Sequence, residues 1–392
     1  MAHPASGRKT TEHINFGKAV EGIPNGTYAN RILHEITRRR QALEDVLKYP
    51  DTSTVTVMNT LHEYLVMPIR NVLSEARRPL KLKFKWTSFT NPEEEASTSK
   101  DSDFDQVSFL VAVSLWLIEH AHLVFPLYPQ EDDLDEEKMK DALNSLKLAA
   151  GVCECVEQRP KSDYLDLTVP VNQALRHQCL AEAQMVTINR AVRKGNKPAL
   201  ISQLAHEVAK KFITASTTLQ KCGKAVEKWR LFLMFKVELY LAVARCFQGV
   251  SFLEENEQSG MSVAVLTVAS KHIAACHHLA KEYAKLKPKA KHPLMDSRDF
   301  IWVQKLVALK MDKSNRENSM IYHQRIPEEA APLDDPKCLV ASTEFNFPQP
   351  DLSGDPVESS VSANTKTASP KTASPKTASP KTSPGPRPTT YL

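Results

Sequence analysis

Glycine is nearly missing from this chain. Only 11 of its 392 residues are glycine, and none lies between Thr27 and Ala150 or between Met261 and Ser353. Tight turns that need a positive φ and phosphate-cradling loops are therefore scarce, and long helices are the natural alternative. Apolar residues recur at helical spacing over about 29–49, 54–77, 104–125, 134–157, 170–193, 198–221, 224–249, 261–286 and 299–324, which predicts nine helices. Gly195, Asn196 and Pro198 form a stop and a restart: glycine ends one helix, and proline is tolerated in the first turn of the next. Asp132, Asp133, Asp135 and Glu136 gather where a helix begins and its dipole favours carboxylates. The clear strand is "KLKFKWT", in which Leu82, Phe84 and Trp86 alternate with Lys81, Lys83, Lys85 and Thr87. "HINFGKAV" is a second, shorter strand candidate, and "NPEEEASTSKD" reads as a solvated loop.

The net charge of +5 suggests nucleic acid until its distribution is considered. Lys366, Lys371, Lys376, Lys381 and Arg387 all lie in the last 32 residues, which hold no acid. The body is left with 46 basic and 46 acidic side chains, so overall charge gives no support for phosphate binding. The seven cysteines are an odd number and mostly sit in apolar helical patterns, as packed thiols of a reducing compartment do. "MAHPASGRKTTEH" is polar, without the apolar segment of a signal peptide, and its Met-Ala start does not suit myristoylation. No apolar run reads as a membrane span.

No GxSxG, GxxxxGK[ST], HExxH or CxxC occurs, and no pair of acids is marked as desolvated partners. The nearest metal-like group is His272, Cys276, His277 and His278 in "KHIAACHHLAKEY"; its residues come from one helix, whereas zinc ligands usually converge from several elements. His120 and His122 fall at a helix end, where capping is the ordinary role. The expectation is a protein that is not an enzyme, with no catalytic residue, cofactor, metal or small-molecule substrate.

"MVTINRAVRKGNKPALISQLAHEV" holds a different signal. Ile201, Ala205, Val208 and Phe212 form the buried stripe of the second helix, while Leu200 and Leu204 lie one residue earlier, on its flank. Either the core is wide there or a partner covers those leucines. Past "RIPEEAAPLDDP" the helices stop, and from about Pro348 the chain is Pro- and Ser-rich, ending in "KTASP" repeats that cannot support a core.

Six stretches in order resemble the Bro-1 domain family: "FKW" with "FDQVSFLVAVSLWL", "SLKLAAG", "CLAEAQMVTINRA", "KWRLFLMFKVELYLAVARCFQG" and "NRENSMIYHQRIP". The resemblance implies a mainly all-α, boomerang-shaped domain over residues 10–345, a tetratricopeptide-like solenoid with a small sheet near its start. Residues 1–9 and 346–392 would be disordered flanks. Members of this family bind the C-terminal amphipathic helix of an ESCRT-III subunit, of the charged multivesicular body protein class, in endosomal sorting and membrane remodelling. Carried over residue by residue, the resemblance makes Leu200 and Leu204 groove anchors, places Thr187 where larger relatives have an aromatic, and sets Glu136 and Lys140 at the rim. It implies an adaptor in the cytoplasm, transiently at endosomal membranes.

Two departures stand out. A short member of the family ends in a prenylated Cys-a-a-X box, whereas this chain ends Thr389-Thr390-Tyr391-Leu392 with its last cysteine at Cys338. No direct lipid anchor is therefore expected. Nor is there room after Pro327 for the V-shaped domain of the larger relatives. The alternative reading makes the tail the active element of a cytosolic scaffold: Ser369, Ser374, Ser379 and Ser383 precede prolines as candidate phosphosites, beside a Pro-rich end suited to an SH3-type partner.

Overall fold

The structure is a computed structural model that describes residues 8–19, 28–70, 82–91, 94–129, 134–159, 162–287, 289 and 293–350. Asp132, Asp133 and the four candidate phosphoserines lie outside these residues. The fold is all-α apart from one small sheet.

The N-terminal part holds α1 (Phe16–Ala19), α2 (Tyr28–Val46), α3 (Thr54–Leu65), β1 (Phe84–Trp86) and β2 (Ser97–Ser99). β1 pairs antiparallel with β2 in the register Phe84↔Ser99 to Trp86↔Ser97, and Thr11 bridges the other side of Trp86. The sheet corrects the expectation of a solvated loop at 91–101, whose Ser-Thr-Ser strand carries no alternation to betray it. "HINFGKAV" makes a helical turn at α1, not a strand. α3 stops at Leu65, because Pro68 cannot donate to a continuing helical ladder, and helical backbone resumes at Ile69 and Arg70; residues 71–77 of the expected helix lie outside the described residues. Ser53 caps its start, accepting from the Thr56 N–H.

These pieces are joined by one buried carboxylate. Asp105 accepts from Arg40 Nε (3.0 Å) and Nη2 (2.9 Å), from Trp86 Nε1 (2.7 Å) and from Tyr64 Oη (2.5 Å). Such a charge is tolerable inside because every donor around it is aimed at it.

Seven long helices follow: α4 (Ser102–Val124), α5 (Glu136–Glu157), α6 (Val169–Arg193), α7 (Pro198–Thr218), α8 (Glu227–Glu254), α9 (Ser259–Lys285) and α10 (Arg298–Glu317). From α4 to α9 each packs mainly on the helix before and the helix after it, and one continuous core runs through the stack. α4 and α9 are long and apolar enough to cross a membrane by composition, but most of each apolar window is buried, which marks α4 above all as a core helix. Five of the seven cysteines are buried. His120 and His122 do not cap α4 but tie it sideways, His120 between the Pro50 carbonyl (2.7 Å) and Asp141 (3.1 Å), His122 to the buried Glu182 (2.8 Å). Gly195, at φ +63, ends α6 with its N–H on the Val192 carbonyl.

Beyond a last turn at Asn318–Tyr322 the chain is extended, and it retraces the solenoid. Gln324 meets the Gly260 N–H of α9; the carbonyls of Ala331 and Pro332 accept from Arg245 and Gln248 of α8; the Asp334 carbonyl meets His206 of α7. The strap then passes Gln184 of α6, and Thr343 N–H donates to the Lys147 carbonyl of α5 (2.9 Å). Two glycines inside helices make room for it. A Cβ at Gly151 would stand 1.7 Å from the Thr343 carbonyl oxygen, and one at Gly260 would stand 2.4 Å from that of Arg325. Phe347 ends the run under the Arg159 guanidinium, 3.6 Å from its ring centroid.

Candidate functional site

α5, α6 and α7 alternate in direction, so the first turn of α5, the last turns of α6 and the first turns of α7 meet at one end of the stack. Asp135 caps α5, accepting from the Lys138 N–H at 3.0 Å. Glu136, the first residue of that helix, binds Lys194 (2.5 Å) and Arg190 (3.4 Å) at the end of α6, and these cations hold its carboxyl below the usual range. Lys140, one turn on, is exposed and, among the described residues, pairs along its own helix with Glu137 at 3.0 Å. The rim therefore carries mixed charge, Arg190, Lys194 and Lys140 beside Asp135, Glu136 and Glu137, and the two cations on Glu136 are not evident from the spacing of Glu136 and Lys140 alone.

Thr187 is half-buried on α6, its hydroxyl turned back to the Ala183 carbonyl at 3.3 Å. Gln184, one turn earlier, donates to the Leu204 carbonyl (3.4 Å), and antiparallel stepping from that contact brings Thr187 level with residues 200–201 of α7. Leu200 is half-buried there, packed against the edge of the core. Leu204 is not: only 1% of it is exposed. The expectation of two flanking leucines open to a partner is thus corrected for Leu204. α7 is buried on more than one side, since Ser202 bonds the Ala244 carbonyl of α8 while Gln184 of α6 bonds Leu204, so a residue off the main stripe can still be enclosed. Leu204 lies beneath this surface, and Leu200 and Thr187 are only partly covered.

The strap closes one side. Gln184 also reaches it with both ends of its carboxamide, donating to the Lys337 carbonyl (2.6 Å) and accepting from the Leu339 N–H (3.1 Å), while the Lys337 N–H reaches the Gln203 carbonyl (3.1 Å). Leu339 is left 53% exposed about a turn away from Thr187. Neither Gln184 nor Leu339 was legible as part of a site: one sits in an ordinary polar gap of α6, and the other lies in a segment without periodicity.

The histidine cluster of α9 disperses. His272 binds Glu238 (2.7 Å), Cys276 is buried with its thiol toward the Phe235 carbonyl, and His277 faces the Met295 sulfur. Among the described residues no three His, Cys, Asp or Glu side chains are grouped to hold a metal ion.

Comparison with known proteins places this arrangement. The chain is 30% identical to the human BRO1 domain-containing protein BROX over 359 residues, covering 87% of this chain and 85% of that one. It is 28% identical to the Danio rerio protein of the same name, and 26% identical to the vacuolar protein-sorting protein BRO1 of Gibberella zeae, of which it covers 33%. Among solved structures, the ALIX BRO1 domain in complex with CHMP4C superposes with a TM-score of 0.66 at 19% identity, over 86% of this chain and 94% of that one. A structure described as the basis for endosomal targeting by the Bro1 domain matches with a TM-score of 0.62 at 16% identity, over 86% and 91%. The BRO1-like domain pattern matches residues 5–365, wider than the 10–345 expected from the sequence. The chain belongs to the BRO1-like domain family.

Proposed function

We propose that the chain is a non-enzymatic adaptor that receives the C-terminal amphipathic helix of an ESCRT-III subunit on the surface where α5, α6, α7 and the strap meet. The observation that carries this reading is the half-buried pair Leu200 and Thr187 on that surface, with Lys140, Arg190, Lys194 and Glu136 around it. An amphipathic helix needs an apolar seat and a charged margin. A BRO1 domain of the same fold has been solved in complex with CHMP4C, which supports a partner of that class. The working place would be the cytoplasmic face of endosomal membranes, where such subunits assemble.

The test is a titration of the full chain against fluorescently labelled C-terminal helices from a panel of ESCRT-III subunits. Saturable one-to-one binding to at least one helix is expected, weakened by salt as rim charges are screened. Absence of binding across the panel would overturn the assignment.

A further inference from the structure

A concave site lies at the other end of the chain. A cavity of about 350 Å³ opens between the N-terminal segment 8–11, the end of α2 and the middle of α4. Its walls are mainly apolar: half-buried Leu47 with Ala112 and Leu115 line it, and Trp86, Phe109, Trp116 and Ile118 stand behind them, at most 3% exposed. That volume admits a small molecule, and apolar walls around a few polar groups are the usual make-up of a ligand pocket.

The polar groups of the lining are nearly all spent. Trp86 Nε1 donates to Asp105 and Trp116 Nε1 to the Tyr49 carbonyl. Lys9 Nζ is held by Asp166 (2.5 Å), Lys48 by Asp45 (2.6 Å), and Arg8 by Glu119 (2.8 Å) at the rim. Behind the wall, Arg40 is engaged two-fold by Asp105, which also takes the Tyr64 hydroxyl from α3. Four cations thus each have an acid of their own, and Glu44 is a fifth acid. It shares Arg40 through Oε1, while Oε2 has no hydrogen-bond partner among the described residues. Its side chain is 11% exposed and lines the cavity. With Glu44 ionised the cluster is negative by one charge, and the cavity is the place from which the missing positive charge can enter.

We propose that this cavity binds a small organic ammonium ion, with the charged nitrogen on Glu44 Oε2 and the apolar body against Leu47, Ala112 and Leu115. The neighbouring ring faces are already engaged, Trp86 by Lys9, Phe109 by Arg40 and Trp116 by His120, so the carboxylate and the aliphatic walls carry the recognition. The acidity of Glu44 fits: burial raises its midpoint to about 7 in spite of Arg40, with Asp105 and Asp45 adding to the rise and Lys48 opposing it. An entering cation would hold that carboxyl ionised.

The probe is 2-phenylethylammonium, titrated calorimetrically into the full chain at pH 8 and at pH 6, with neutral 2-phenylethanol as the comparison. Because the Glu44 midpoint is about 7, the ionised fraction falls from roughly nine tenths to one tenth, and binding should weaken about ten-fold from pH 8 to pH 6. The alcohol should bind at least ten-fold more weakly than the amine at pH 8. Glu44→Gln should weaken amine binding and remove its pH dependence. Ala112→Leu, which fills the cavity without touching a charge, should abolish binding of both compounds, and circular dichroism on each variant checks that the fold is kept. Failure of the amine to saturate at millimolar concentration, equal affinity for the alcohol, or pH-independent binding to the unaltered chain would each overturn the proposal. So would amine binding unchanged in a folded Ala112→Leu chain.

Discussion

Replacing Gly151 by alanine should destabilise this protein, against the ordinary rule. Inside a helix the change normally gains about 0.5–1 kcal/mol, since alanine loses less backbone freedom on folding. Here the new methyl would fall 1.7 Å from the Thr343 carbonyl oxygen, a backbone atom that cannot swing aside as a side chain can. The strap must lift off α5. What is lost with it is the Thr343 to Lys147 backbone bond at 2.9 Å and the Ser342 to Glu154 bond at 2.9 Å, together with the Arg159 contact on Phe347. At about 1 kcal/mol for the neutral bond, about 1.5 for the charged one and about 0.5–1 for the cation over the ring, the loss is about 3 kcal/mol, and about 2 net of the helix gain. Urea unfolding of the full chain should therefore show a deficit of about 2 kcal/mol. In a chain truncated after Val340 the clash is absent, and the same substitution should stabilise by about 0.5–1 kcal/mol. The reversal of sign is the diagnostic. A Gly151→Ala chain more stable than the parent at full length would refute the seating of the strap.

Three further outcomes follow from the buried groups. Leu204→Asp and Ile201→Asp should each cost several kcal/mol and the cooperative thermal transition seen by circular dichroism, because both sites are enclosed, at 1% and 2% exposure, and offer the carboxylate no partner; retention of a normal transition by Leu204→Asp would reopen it as a surface anchor. Asp105→Ala should cost about 3–5 kcal/mol in urea unfolding, since Arg40 would be left buried with only Glu44 and both Trp86 and Tyr64 would lose their acceptor. Glu44 has a folded midpoint of about 7, above its ordinary value of 4.5, so the folded state binds more protons and its contribution to stability declines as pH rises from about 4.5 through 7; Glu44→Gln should therefore gain on the parent chain between pH 5 and pH 8, and a difference constant with pH would contradict the assignment.

What the sequence disclosed follows from how local each signal is. Helix limits were readable to a few residues where a cap or breaker stands, as at Asp135, Gly195 and Pro198. Where a proline lay within an apolar pattern, at Pro68, the pattern missed the break between Leu65 and Ile69. The strap left no periodic trace because it is held through backbone carbonyls and amides by Gln184, Arg245 and Gln248, residues more than 80 positions away. Its one signal was indirect: Gly151 and Gly260 stand inside helices of a chain otherwise sparing with glycine. Leu204 was misplaced for a related reason, since a stripe argument assumes one buried face and α7 has helices on both sides. Thr187, Lys140 and Glu136 came from family resemblance, and only the three-dimensional arrangement adds Arg190, Lys194 and Leu339 to their surroundings. The Glu44 cavity was invisible, because it depends on counting acids and cations across four separate elements.

The central claim is that Leu200 is part of a partner's seat and not of the core. It is tested most directly by titrating one ESCRT-III C-terminal helix against Leu200→Asp and the parent chain, with thermal unfolding followed on the same preparations. Leu200 is half-buried at the edge of the core, so the variant should keep a cooperative transition close to the parent's. Loss of an apolar anchor is worth about 1–3 kcal/mol of binding, with a desolvation penalty added by the carboxylate, so affinity should fall at least ten-fold. Unchanged affinity in a folded Leu200→Asp chain would contradict the account.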